Sequence, residues 1–102
     1  MPTFADAIAR IRIATWAEDD EAVSGLREAA LSWGPDAGKV ADAAIALDRG
    51  DTESAVASLN QAHILQHEAR DEASRLRAEA LLEGGRPADA LLVLDGMSGD
   101  DA

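Results

Sequence analysis

The chain has 102 residues, no cysteine, and twenty acids against nine bases, for a formal charge of −11. That length suffices for one domain with a modest core, and the missing thiols exclude disulfides, thiolate metal sites and thiol nucleophiles. The acidic excess argues against nucleic acid or anionic lipid as a partner, because both need clustered lysine or arginine.

Alanine, leucine, arginine and the two acids dominate, while β-branched and aromatic residues are scarce, so an all-α fold is expected. No run approaches the roughly 18 apolar residues of a membrane span. The opening "MPTFADAIAR" carries an early acid and no basic stretch, so it does not read as a secretory leader and a cytoplasmic protein is expected. The preference for arginine over lysine, with abundant alanine, suggests a bacterial source of high GC content.

The first predicted helix, "FADAIARIRIA", places Phe4, Ala7, Ile8 and Ile11 on one face. It ends at "AEDDE" (17–21), where Asp19 or Asp20 can cap the next helix and acids suit its positive end. The second helix contains "EAVSGLREA" (21–29) and stops at "WGPD" (33–36), since proline cannot continue it. "KVADAAIAL" then sets Val40, Ala43, Ala44 and Leu47 on one face, and "RGDT" (49–52) reads as a C-cap followed by an N-cap. "SAVASLNQA" (54–62) is the fourth helix. No breaker follows it in "HILQHEARDEA", and a bend is expected near Gln66–Arg70, with Asp71 available as a cap. The fifth helix carries Ala73, Leu76, Ala80 and Leu81 toward the core, "EGGRP" (83–87) ends it, and "DALLVLDGM" (89–97) forms the sixth. Residues 98–102 read as a disordered acidic tail.

Three of these segments align. Ala22, Ala55 and Ala90 are 33 and 35 residues apart, and Leu26, Leu59 and Leu94 follow at the same spacing. Gly50 and Gly85, also 35 apart, precede the last two copies. A period of about 34 residues built from two helices and a tight turn is the mark of a repeat array. The chain resembles three degenerate tetratricopeptide repeats over residues 3–97, with boundaries near 2–34, 35–67 and 68–97. Phe4, Ala7, Ile8 and Ile11 match that family's first-helix core. Ala55, Leu59 and Ala62 match its second-helix core, and "GD" (50–51) its turn. Aromatic first-helix positions are missing after Phe4, and the first turn reads as longer than the others. The resemblance implies a single domain over 1–97, a short right-handed α-α solenoid of about six helices.

Chemistry is hard to find. His63 and His67 stand four apart with Asp71 one turn on, a spacing that could hold zinc on one helix face, but the glutamate of the zinc-protease pattern is replaced by Ile64. "EDDE" (18–21) lacks the alternating ligands and central glycine of a calcium loop. "EGGRPAD" (83–89) lacks the Lys-Ser/Thr of a phosphate loop, and no serine sits in a nucleophile elbow. Trp16 and Trp33 each end a helix and read as covers of a core edge, with an interface anchor as the alternative. A non-enzyme without metal or cofactor is expected.

The resemblance implies a concave groove along the first helices of the three repeats, holding a peptide or helix of a partner protein. The residues expected there are Arg12, Ala41, Ile45, Asp48, Arg75, Glu79 and Leu82, flanked by Ala5 and Ala9. The lysine/asparagine clamp of the family's chaperone-tail binders has no counterpart here. A small adaptor or chaperone is the leading expectation. The alternatives are a self-assembling repeat module, or an acidic mimic of nucleic acid that blocks a DNA-binding protein.

Overall fold

In the computed structural model, which describes residues 3–63 and 67–99, six helices succeed one another without a strand among the described residues. They are α1 (Phe4–Trp16), α2 (Asp20–Ala30), α3 (Ala37–Asp48), α4 (Thr52–Gln61), α5 (His67–Glu83) and α6 (Pro87–Gly99), with a 3₁₀ turn at Leu31–Trp33. Each odd-numbered helix packs on the even-numbered helix that follows it, and α1, α3 and α5 also touch one another pairwise. The radius of gyration, 13.0 Å, is that of a globular domain of about 100 residues. No described helix is long and apolar enough to cross a membrane.

The starts of the helices follow from their caps. Thr3 accepts the Asp6 N–H and Asp6 accepts that of Thr3, closing a capping box on α1. Asp19 caps α2 by accepting the Ala22 N–H at 3.2 Å. Asp51 caps α4, accepting both the Ser54 N–H and hydroxyl, and those two bonds hold its carboxyl below the usual carboxylate range.

The three turns inside the helix pairs share one hydrogen-bond pattern. The N–H groups of Asp19, Asp51 and Arg86 donate to the carbonyls of Ala14, Ala46 and Leu81 at 3.0, 2.8 and 2.8 Å. One residue earlier the backbone turns left-handed, at Glu18 (φ 58°), Gly50 (79°) and Gly85 (78°). This is the closing turn that satisfies the last carbonyls of a helix. The first turn is therefore no longer than the others. It looks irregular in the sequence because glutamate occupies the position that glycine fills twice.

The core is built largely from methyl groups. Ala30, Ala37, Ala41, Ala43, Ala44, Ala55 and Ala69 have no exposed surface, and Phe4, Ile11, Leu59 and Val40 are the largest fully buried side chains. Small residues bring helices close. A Cβ on Gly38 would come within 2.8 Å of Leu31 Cδ2 and 3.3 Å of Arg27 Nη2. Trp33 leans on Phe4, with ring centroids 5.5 Å apart and planes at 58°, the tilted geometry aromatic pairs prefer.

Two boundaries differ from the sequence reading. The break after α4 comes at Gln61 rather than near Gln66–Arg70, and α5 is already helical at His67. Ala62 is extended (φ −87°, ψ 100°), the His63 N–H donates to Asp36 Oδ2 at 2.8 Å, and Lys39 Nζ donates to the Gln61 carbonyl at 3.2 Å. Residues from the start of α3 thus satisfy the end of α4, a long-range capping that no local breaker announces. Residues 64–66 lie outside the described residues. At the C-terminus α6 runs through Gly99, into the expected tail, and residues 100–102 lie outside the described residues.

The left-handed turns give a test with opposite signs. Gly50→Ala and Gly85→Ala each place a Cβ at positive φ and should cost about 1 kcal/mol. Glu18→Gly should gain roughly 0.5–1 kcal/mol by relieving the same strain. Gly25 lies inside α2 with open space around it, so Gly25→Ala should also stabilise, by roughly 0.5–1 kcal/mol. Urea unfolding of the four variants measures these changes, and a neutral Gly85→Ala would contradict the turn geometry.

Candidate functional site

Three of the seven residues expected to line a groove, Arg12, Asp48 and Glu79, are brought together and bind each other. Arg12 on α1 donates from Nε and Nη2 to Asp48 on α3 at 2.8–3.2 Å, and from Nη1 to Glu79 on α5 at 3.0 Å. The two carboxylates push the guanidinium pKa up, Asp48 foremost, against the opposing effect of burial. Asp48's side chain keeps only 5% of its surface exposed, against 24% for Arg12. One arginine therefore neutralises a nearly buried carboxylate and ties three helices across their shared face.

Ala41 is fully buried and Ile45 nearly so, both inside the core and not on an open groove. They read as groove residues because a helix face alone does not show that its neighbours close over it. Replacing Ile45 with a charge would test folding, not binding. Arg75 is exposed and pairs along its own helix with Glu72 at 2.8 Å. Ala5 is half-buried and Ala9 is exposed. Of the seven groove residues, Leu82 is the one that presents a large apolar side chain to solvent, at 56% exposure.

A second exposed side chain joins it. Trp16, 66% exposed, stands one turn beyond Arg12, as Leu82 stands one turn beyond Glu79. α1 and α5 run parallel, since the Phe4 N–H near the start of α1 donates to Glu68 Oε1 at 2.6 Å. Trp16 and Leu82 therefore lie at the same end of two parallel helices. Trp16 also borders a depression of about 700 Å³ with Thr15, Glu18, Asp20, Asp48 and Arg49. The sequence favours Trp16 as a core cover over an interface anchor, and its exposure contradicts the first of these. Trp33 does sit at the core edge.

The fold also gathers acids that the sequence scatters. α1, α3 and α5 end at the same end of the molecule, where depressions join the first turn to the second and the second to the third. Glu18, Asp19, Asp20, Glu21, Asp48, Asp51, Glu53 and Glu83 lie in or beside these turns, against Arg49 and Arg86. None of the three helices carries a basic residue in its last turn, where cations would oppose the negative end of the dipole. Arg49 bonds Asp20 at 3.4 Å, an exposed pair of small energetic value.

The histidine pair does not form a shared helix face. His63 lies outside both α4 and α5, while His67 sits in the first turn of α5, 3.6 Å from Asp71. No group of three His, Cys, Asp or Glu among the described residues could hold a metal ion. Compared with known proteins, the chain matches no family model, no curated protein and no solved structure.

Replacing Arg12 with methionine strands Asp48 without its counter-charge and should cost about 2–3 kcal/mol, less than a fully buried pair because Arg12 still meets solvent. Adding Asp48→Leu should recover most of that loss, since apolar side chains of similar size replace buried ion pairs at little cost. Unfolding free energies of the two variants measure this. An Arg12→Met change within about 0.5 kcal/mol of wild type would show that the pair is not structural.

Proposed function

We propose that this chain is a non-enzymatic protein-interaction module, a small tetratricopeptide-like adaptor or chaperone that holds a segment of a partner protein. The carrying observation is the exposed Trp16 beside the acidic depression, with the exposed Leu82 at the same end of the parallel α5. Tryptophan in a contact patch offers large, rigid area at low entropic cost, and its ring face attracts cations. The surrounding carboxylates favour a partner of opposite charge. The segment is therefore a basic amphipathic helix, with its apolar side on Trp16 and Leu82 and a lysine or arginine in the depression.

Support for the repeat reading comes from the three turns of identical hydrogen bonding and from the buried Ala55 and Ala90, with Ala22 packed against the core. The proposed site differs from the groove expected by resemblance, because Arg12, Asp48 and Glu79 already occupy that face.

Calorimetric titration with amphipathic peptides of one apolar pattern and opposite charge tests this reading. The basic peptide should bind, weaken at least tenfold with Trp16→Ala or Leu82→Glu, and weaken further with salt. Both positions are exposed, so melting temperatures should stay near wild type. Equal binding of the acidic peptide, or indifference to both substitutions, would remove the site.

A further inference from the structure

The α2–α3 and α4–α5 contacts are built alike, and their common plan has two unused halves. Val23 and Ser24 face Ile45 and Ala46 across a depression of about 560 Å³, and Val56 and Ala57 face Ala80 and Leu81 across one of about 570 Å³. Beside each, a polar side chain of the even helix bonds one of the following odd helix. Arg27 donates to Asp42 at 2.6 and 2.9 Å, and Arg77 donates to Asn60 at 2.8 Å. The matching positions step by 33 on the even helices and by 35 on the odd ones.

The same plan extends outward through the turns. From α4 to α6 the step is 35, as from Asp51 to Arg86, which carries Val56, Ala57 and Asn60 to Leu91, Leu92 and Asp95. From α3 back to α1 it is 32, as from Ala46 to Ala14, which carries Asp42 and Ile45 to Arg10 and Ile13. Leu91 and Ile13 are each 61% exposed, whereas their counterparts Val23 and Ile45 are buried and Val56 is half-buried. Leu92 is 68% exposed, and its counterparts Ser24 and Ala57 are exposed as well. Arg10 and Asp95 are exposed. Among the described residues, α6 is thus an even helix with no odd helix packed on this face, and α1 an odd helix with no even helix packed on the corresponding one.

We propose that the chain associates head to tail with a second copy of itself, α6 of one packing on α1 of the next as α2 packs on α3. Leu91 covers Ile13 of the next copy with Leu92 at the margin of the contact, and Asp95 pairs with its Arg10 in place of the Arg27–Asp42 bond, with the signs exchanged. That charge complementarity selects a second copy as the occupant. The contact joins two different faces, so it adds copies in a row unless the rotation closes a ring. With −11 on each copy, long-range repulsion opposes association, and moderate salt strengthens it. The inference goes beyond the partner site and uses neither Trp16 nor Leu82.

Sedimentation velocity of the full chain over a concentration series is the test. The average mass of the wild type should rise with concentration toward the order of 1 mM. Ile13→Glu and Leu91→Glu should each reduce self-association at least tenfold while helicity and melting temperature hold. An equimolar mixture of these two variants should form dimers and nothing larger, because each retains the face that the other lacks. Arg10→Asp and Asp95→Arg should each weaken the contact, and the double exchange should restore it. A chain that stays monomeric throughout, or an Ile13→Glu variant that associates like wild type, would overturn the proposal.

Discussion

Arg12 is the constraint around which the rest of the molecule is arranged. Its planar, always-charged head meets a carboxylate from α3 and another from α5, a geometry that lysine cannot reproduce. A guanidinium between two acids fixes the spacing of three helices and their relative rotation, since donors and acceptors must lie near one plane. It does this on the face where the resemblance leads one to expect an open groove. The result is a closed layer in which α1 reaches α5, with the Phe4–Glu68 bond securing the far end.

With that face closed, the proposed contacts fall elsewhere. Apolar side chains that cannot enter the layer emerge at its margins, near the ends of α1 and α5 and along α1 and α6. Acids that would repel one another along an extended array are drawn into one end by the shared direction of the odd-numbered helices. The two proposed surfaces are thus products of one packing decision. They differ in partner because one is ringed by carboxylates while the other carries one charge of each sign.

Much of the fold is legible in the sequence. Phe4, Ile8 and Ile11, and Val40, Ala43, Ala44 and Leu47, are buried as their spacing requires, because burial along a helix follows its 3.6-residue period. The caps at Asp19 and Asp51 are readable for the same local reason. What the sequence hides is set by contacts distant along the chain. The end of α4 depends on Asp36 and Lys39, and the first turn conceals its regularity behind Glu18. Arg12, Asp48 and Glu79 are visible as polar residues on one side of their helices. Nothing local says that they satisfy each other across separations of 36 and 67 residues. Opposite charges at facing positions of successive odd helices were the available signal, and it pointed to a ligand and an internal bond equally well.

The alanine interior has a thermodynamic consequence. A methyl side chain contributes little nonpolar area, so melting hydrates less hydrocarbon per residue than in a leucine-filled domain of this size. The heat-capacity increment of unfolding scales with that area, and it should fall below the usual value of about 12–15 cal/mol/K per residue. Stability then varies gently with temperature and fades little on cooling. A protein of this kind resists chilling better than its modest core would suggest.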